Sequence, residues 1–522
     1  MDRATFPPAL FPPSLRRYGW QTVLAQLADQ GTIIGDFSRT VMGEMLGQFP
    51  LEDKSRSRVV ALVREVARQI ATGALKPGEK LASVRKAALQ HHVSKNTMAE
   101  AYDRLVALGQ LEARPGSGYY VLASSPSPAA PPRPHVAEAL DLVSLLREQL
   151  DQHHEVRPGD GRPPPSWMEG SQIGAQFGRA VLAHGQVEHG YGSSRGFLPL
   201  RERIALSLTE RGIRCDGNQV LMTHGANHAL DLIMRHLLEP GDTAFVDSPG
   251  YYPLFGKLRL GKVRVVGIRR LPDGPDLADL EAKLATERPK VFFTQSLAHN
   301  PTGGTLSLTT AYGLLRMAER HGFHVVEDDP FADLLSPSSP RLAGLDQLNR
   351  VVYVGTFSKT LSASLRVGFV AAHPTLSEAL ANIKLLTCVA TSDHVERLVY
   401  GLIAKGQYLR HLRRLRSRIE LATLQAVADL GAIGFRVVAP HDCGFYLWLE
   451  MPPGSDEEAL CRLAAERGIF LAPSAVFRPD RQPGPAAFRI NVAHASHPRL
   501  LEFLSRLARP IHQLRAAGTG WV

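Results

Sequence analysis

The stretch Thr356–Gly368 reads TFSKTLSASLRVG and directly follows the β-branched run VVYV at Val351–Val354. A lysine, Lys359, thus stands just past a predicted strand, among hydroxyls and small residues, with Arg366 seven positions on. Lysine is costly to bury without a partner. Upstream, QVLMT at 219, TAFVD at 243, VRVVGI at 263, KVFFTQ at 290 and FHVVEDD at 323 read as further short strands. Helical spans such as ANHALDLIMRHLLEP and LTTAYGLLRMAERHG separate them. Strands alternating with helices predict a mostly parallel α/β sheet covered by helices, starting near Gln176. From about Ser377 the pattern mixes helices and strands and reads as a smaller α/β lobe.

The ends of these strands carry reactive groups. Thr356, Ser358 and Arg366 are phosphate-binding types, arginine through its two-pronged fork. Gly225-Ala226-Asn227 lies where a strand turns into a helix, so its backbone N–H groups can cap an anion. Asp328, in VVEDDPF, ends an apolar strand at the usual crevice edge of an α/β sheet. Asn300, in AHNPTGG, follows another strand, and Tyr251, in DSPGYYP, offers an aromatic face. A lysine amine forms a Schiff base with an aldehyde. Pyridoxal phosphate needs such a lysine, an anion site for its phosphate and an acid partner for its ring nitrogen. Each residue alone has a blander reading: a surface Ser-Lys pair, an Asn-Pro turn, a helix-capping aspartate. Their combination at strand ends points to the cofactor.

The chain has 522 residues, 44% hydrophobic and 21% charged, which suits a globular protein of two or more domains. No apolar run reaches the roughly 18 residues of a membrane helix, and the first residues lack the apolar core of a secretory signal. A cytoplasmic protein is expected. Cys215, Cys388, Cys443 and Cys461 show neither metal-ligand nor redox spacing, so free thiols and no metal site are expected. The net charge is +10, and Lys54–Val121 alone holds 12 lysines and arginines against 5 acids. So local an excess favours nucleic acid over a small acidic ligand.

That basic segment has its own pattern. Arg58–Thr72 places Val59, Leu62, Val63, Val66 and Ile70 on one helical side. A second helix is expected from Ser83 to about Gln90. A third runs from Ser94, a good N-cap, to Leu108, with Met98, Ala101, Tyr102, Leu105 and Leu108 on its inner face. GQLEARPGSGYYV reads as a β-hairpin with a glycine-rich tip. Lys95 and Asn96 then lie at the exposed N-terminus of a recognition helix. A surface-charged three-helix domain is the bland alternative. ASSPSPAAPPRPH, Ala123–His135, is a linker by composition. The expected domains are an extension of unknown role at 1–53, a DNA-binding domain at 54–122, a linker at 123–165, and the α/β domain at 166–510, its small lobe from about 377. Within the extension, GWQTVLAQLADQG reads as a short amphipathic helix.

LKPGEKLASVRKAALQHHVSKNTMAEAYDRLVALGQLEARPGSGYYV resembles the winged helix-turn-helix domain of the GntR family nearly end to end, with Ala82 and Lys95 standing where proline and arginine are usual. The resemblance implies DNA-facing positions at Arg85, Ser94, Lys95, Asn96 and Thr97, with Arg114, Gly116, Ser117 and Gly118 in the wing. YGSSRG, HGANHAL, DSPGYYP, HNPTGG, EDDPF, FSKTLSASLRVG and FRINVA resemble fold-type-I, aspartate-aminotransferase-like enzymes. That resemblance implies an aldimine at Lys359, Asp328 at the pyridine nitrogen and Asn300 at O3′. Ala226, Asn227, Thr356, Ser358 and Arg366 would hold the phosphate, and Arg489 an α-carboxylate. Tyr191 would reach a neighbouring subunit, which implies a homodimer. Phe331 stands where such enzymes carry a tyrosine, which makes efficient transamination doubtful.

The whole arrangement resembles the MocR subfamily of GntR-type bacterial transcriptional regulators. The expected function is a regulator that binds a double-stranded DNA operator and senses an amino compound, or pyridoxal 5'-phosphate itself, at Lys359. The alternatives are a working aminotransferase carrying a DNA-binding domain, and a cofactor-free dimerisation scaffold.

Overall fold

The computed structural model describes residues 54–71, 74–122, 143–182, 190–438, 444–481 and 484–516. The N-terminal extension with its expected short helix, the proline-rich part of the linker and Cys443 lie outside the described residues. The chain divides into two compact units, Met1–Ala130 and Pro131–Val522.

In the first unit, α1 (Lys54–Ala71), α2 (Val84–Gln90) and α3 (Lys95–Ala107) precede a hairpin of β1 (Leu111–Arg114) and β2 (Gly118–Val121). Serines start the two later helices. Ser83 Oγ accepts from Lys86 N, and Ser94 Oγ accepts from Thr97 N at 3.1 Å. Val59, Leu62 and Val66 of α1 meet Met98, Ala101 and Leu105 of α3 in a closed core. The hairpin is tied back by Leu81 N to Tyr119 O at 2.8 Å, and the Tyr102 ring packs at a tilt against Tyr119 with centroids 4.8 Å apart. Leu108 departs from the expected inner face. It is the C-cap of α3 and 63% exposed, because the helix ends there and Gly109 turns the chain away.

The second unit is built on an eight-stranded sheet of β3 (Val220–Thr223), β4 (Thr243–Ser248), β5 (Arg264–Leu271), β6 (Gly274–Pro275), β7 (Pro289–Thr294), β8 (His324–Asp329), β9 (Val351–Thr356) and β10 (Gly368–Ala371). Their order is β3-β10-β9-β8-β7-β4-β5-β6. The β9-β8-β7-β4-β5 block is parallel, while β10 and β6 pair antiparallel. Alternation sorts the side chains onto two buried faces. Val351 and Tyr353 of β9 join one core, Val352 and Val354 the other. Both faces are covered, as parallel sheets require. The small lobe carries β11 (Val437–Val438), β12 (Tyr446–Glu450), β13 (Ala472–Pro473) and β14 (Ala487–Asn491), in the order β11-β12-β14-β13.

The expected linker end is different. Residues 143–165 belong to the second unit rather than to a linker. A helix, α4 (Val143–Asp151), is followed by a buried strap at 156–161. The strap bonds to the chain beside β13: Phe470 N donates to Val156 O at 2.8 Å and Gly159 N to Phe470 O at 2.8 Å. Asn491 clamps its far end through Nδ2 to Asp160 O at 3.0 Å and Arg162 O at 2.8 Å. LDLVSLLREQLDQHHEV reads as helical, as α4 bears out, whereas in the following RPGDGRPPPSW proline and glycine suppress any helix or strand periodicity, so composition alone reads as loop.

Candidate functional site

The C-terminal ends of β3, β7, β8 and β9 open on one side of the sheet, and the predicted residues of the second unit other than Tyr191 gather around them. Asp328 ends β8 and is buried. Its Oδ2 accepts from Gln295 Nε2 at 2.7 Å, while its Oδ1 is buried with no partner. Burial pushes this carboxyl up to about 6, against the Gln295 hydrogen bond. Its neighbours Glu327 and Asp329 face the other way. Glu327 accepts from Leu342 N at 2.9 Å and Ala343 N at 2.8 Å, and Asp329 pairs with Arg341 at 2.8 Å. One run of three acids thus supplies one carboxylate to the crevice and two to the scaffold.

Lys359 follows β9, and its Nζ donates to Gly161 O of the strap. Burial and the charge of Arg489 push the amine down to about 8. Such an amine carries a far larger free-base, nucleophilic fraction near neutral pH than an ordinary lysine, although the protonated form still predominates below pH 8. On β14, Arg489 is buried against Tyr446 and Phe477, whose ring centroids lie 4.8 and 5.1 Å away. Its Nη1 donates to Asn300 Oδ1 at 3.0 Å and its Nη2 to Gly159 O at 2.7 Å, while Nε has no partner. Asn300 is held in turn through its own N–H to Gln295 Oε1 at 2.8 Å.

An anion cradle lies at the start of α5 (Ala226–Leu237). Its N-cap, Gly225, has φ +75° and ψ 170°, a region that only glycine enters readily. A Cβ there would lie 2.6 Å from Arg366 Nη2. Arg366 donates from Nη2 to His224 O at 2.9 Å and from Nη1 to Ser358 Oγ at 3.4 Å. Ser358 N in turn donates to Thr356 Oγ1 at 3.2 Å. The first N–H groups of a twelve-residue helix, two hydroxyls and a guanidinium thus surround one spot.

Tyr251 caps α6 (Tyr252–Leu260) and lines a small cavity with Asp328. Burial and the charge of Asp328 push its phenol up. Tyr191 is 89% exposed and points outward. Phe331 is buried, edge-on to Tyr446 with centroids 5.7 Å apart. It brings no hydroxyl, and the Tyr446 hydroxyl is spent on Gly161 O at 2.9 Å. Ser474 is buried and donates to Glu457, which also accepts from Ala475 N and Ala487 N. It braces the small lobe. The strap glycines, Gln295 and Tyr446 carry no signal in the sequence. Their roles rest on backbone carbonyls and long-range contacts, which leave no motif.

The residues present fit pyridoxal phosphate: an orphaned buried carboxylate oxygen, a nucleophilic amine and a prepared anion cradle. Comparison with known proteins agrees. Residues 157–507 match the family model "Aminotransferase class I and II", and residues 58–121 match "Bacterial regulatory proteins, gntR family". The chain is 31% identical over 387 residues to the 2-aminoadipate transaminase of Thermus thermophilus, covering 72% of this chain and 95% of that one. It is 28% identical over 428 residues to the probable rhizopine catabolism regulatory protein MocR of Rhizobium meliloti, covering 79% and 85%. It belongs to the GntR/MocR-type regulators with a fused aminotransferase domain. The fold matches LysN, an α-aminoadipate aminotransferase of Thermus thermophilus solved with N-(5'-phosphopyridoxyl)-L-leucine, at TM-score 0.64 and 28% identity, covering 73% of this chain and 97% of that one. It also matches a Pyrococcus horikoshii kynurenine aminotransferase solved with PMP, at TM-score 0.65 and 26% identity, covering 72% and 94%.

In this MocR-type chain the GntR-type unit exposes Arg85, Lys95 and Asn96 at the starts of α2 and α3. Ser94 is committed to its cap, and its Oγ lies 2.7 Å from Thr97 Oγ1. Arg114 pairs with Glu112 at 2.9 Å and lies over the Tyr120 ring at 4.4 Å, beside the Gly116-Ser117-Gly118 tip. Among the described residues no helix is long and apolar enough to cross a membrane. Cys215, Cys388 and Cys461 are free thiols.

Proposed function

We propose that this regulator binds pyridoxal phosphate through an imine at Lys359 and responds there to an amino compound, or to the cofactor itself, by altering its hold on DNA. The observation that carries this is the convergence of Lys359, Asp328 and the Gly225–Arg366 cradle on one crevice. When bound, the cofactor supplies an electrophilic aldehyde and an electron-withdrawing ring. Everything else is the chain's own work. Asp328, with its unpartnered Oδ1, would hold the ring nitrogen. Ala226, Asn227, Thr356, Ser358 and Arg366 hold the phosphate, Asn300 a ring hydroxyl, and Tyr251 a ring face. Arg489 takes a ligand carboxylate. Lys359, its pKa lowered to about 8, would supply the amine that holds the cofactor's aldehyde and would be freed when a ligand amine takes its place. Arg85, Lys95, Asn96, Thr97, Arg114 and the wing glycines touch the operator. The protein acts as a homodimer, with Tyr191 reaching the partner's site.

A second reading is slow transamination, favoured by the complete set of Lys359, Asp328 and Arg489. Phe331 weighs against fast turnover, because the hydroxyl that tunes the ring in aminotransferases is missing. The test titrates the full-length protein with pyridoxal phosphate, then with a panel of amines and amino acids. Absorbance at about 410–430 nm, the range of the cofactor's imine, is followed alongside binding to the protein's own upstream DNA. A band lost in Lys359→Ala, with ligand-dependent DNA affinity and little keto-acid product, supports the regulator. A band that persists in Lys359→Ala refutes the assignment.

A further inference from the structure

Behind Asp328 lies a cavity of about 20 Å³, lined by Asp247, Gln295, His299, Asp328 and Tyr251 among others. Three of these walls each carry a buried polar atom without a hydrogen-bond partner: Asp247 Oδ1, His299 Nε2 and Asp328 Oδ1. Native interiors rarely leave such atoms unpaired, and here all three belong to residues that line one cavity.

The rest of each side chain is fixed. Asp247 Oδ2 accepts from Thr294 Oγ1 at 2.8 Å, Arg270 Nη1 at 3.2 Å and Gln295 N at 3.4 Å. His299 Nδ1 lies 2.8 Å from Thr302 Oγ1, and its Nε2 is 3.4 Å from Asp247 Oδ2 without completing a hydrogen bond. Burial and the charge of Arg270 push His299 down to about 4, so the ring is neutral near pH 7. In the tautomer where the Thr302 hydroxyl donates to Nδ1, the single ring proton sits on Nε2. Burial opposes the charge of Asp247, but Arg270 holds the carboxyl below its usual value, so it is an acceptor.

A polar cavity holds a water when it offers at least about 10–15 Å³ and two to four partners. We propose that one structural water fills this space, accepts from His299 Nε2–H, and donates to Asp247 Oδ1 and Asp328 Oδ1. His299 and Asp247 are then positioning residues for Asp328. They brace its charged form from behind, as Gln295 does from the side. A carboxylate oxygen accepts two hydrogen bonds, so Asp328 Oδ1 keeps one lone pair for the cofactor. This role rests on the proposed pairing of Asp328 with the ring nitrogen.

The test compares His299→Leu, which keeps bulk but has no donor, with His299→Gln, which restores one. Full-length protein loaded with pyridoxal phosphate is used throughout. A crystal structure of the wild type shows the cavity filled. His299→Leu weakens pyridoxal phosphate by about tenfold, the scale of one hydrogen bond to a charged group. It also moves the pH midpoint of the absorption band by about half a unit or more, while His299→Gln stays within about threefold of wild type. A merely structural histidine would leave that midpoint in place. A dry cavity, or a His299→Leu protein with wild-type midpoint and affinity, overturns the inference. Should His299→Leu fail to fold, Thr302→Val frees Nδ1, and an unmoved midpoint there counts equally against it. A wild type with no Lys359-dependent band would instead sink the cofactor reading, which separates the two failures.

Discussion

Gly225→Ala puts a single methyl where the structure leaves none. The backbone at Gly225, φ +75° and ψ 170°, lies in a region that costs a non-glycine residue about 1–3 kcal/mol. The added Cβ would also sit 2.6 Å from Arg366 Nη2, so the guanidinium must swing off His224 O and Ser358 Oγ. Displacing it removes a charge-assisted hydrogen bond to the cofactor phosphate, about 1.5–3 kcal/mol, or roughly 10- to 150-fold in affinity. Pyridoxal lacks the phosphate and should lose no more than about threefold, within the scatter of such small effects. The assay is an absorbance titration of wild type and variant with both compounds. Urea denaturation reports the backbone cost separately. Equal losses for both compounds, or none for either, would refute the cradle as the phosphate site.

Three further outcomes are expected. Lys95→Ala should weaken operator binding and lower the salt slope by about 1 if Lys95 meets a phosphate; an equal loss on random duplex marks it as non-reading. Arg489→Ala should weaken the response to α-amino acids by about 2–5 kcal/mol while sparing amines without a carboxylate; equal effects on both would place the carboxylate elsewhere. Burial pushes Glu327 up to about 7 from its ordinary 4.5, so the folded state binds its proton more tightly and loses stability as pH rises through that window. Glu327→Gln should therefore gain on wild type between about pH 4.5 and 7, by up to about 3 kcal/mol in denaturation experiments. A constant difference would show that Glu327 titrates normally.

The two folds were legible because their signals are local. Ser83 and Ser94 announce their helices, and the β-branched runs at 243, 291 and 351 announce strands. Asp328, Lys359 and Arg366 were legible because each stands at a strand end within a distinctive motif. The strap was not, since its effect comes through the carbonyls of Gly159 and Gly161, and a carbonyl is the same in every residue. Leu108 misled because helical period continues on paper after the hydrogen bonding has stopped. His299 and Asp247 lie 52 residues apart, and only the β4–β7 pairing brings their neighbourhoods together.

The strap has a consequence for affinity. Arg489 and Lys359 are already engaged by main-chain oxygens of Gly159 and Gly161. An incoming carboxylate or aldehyde is therefore an exchange partner, and the measured binding strength is the difference between the new bond and the one surrendered. No side chain can be trimmed from Gly159 to relax that competition, and none can be added, since a Cβ would fall 2.7 Å from Ala472 N. The internal rival is written into the backbone, and it lowers the net affinity for either ligand by the strength of the bond surrendered.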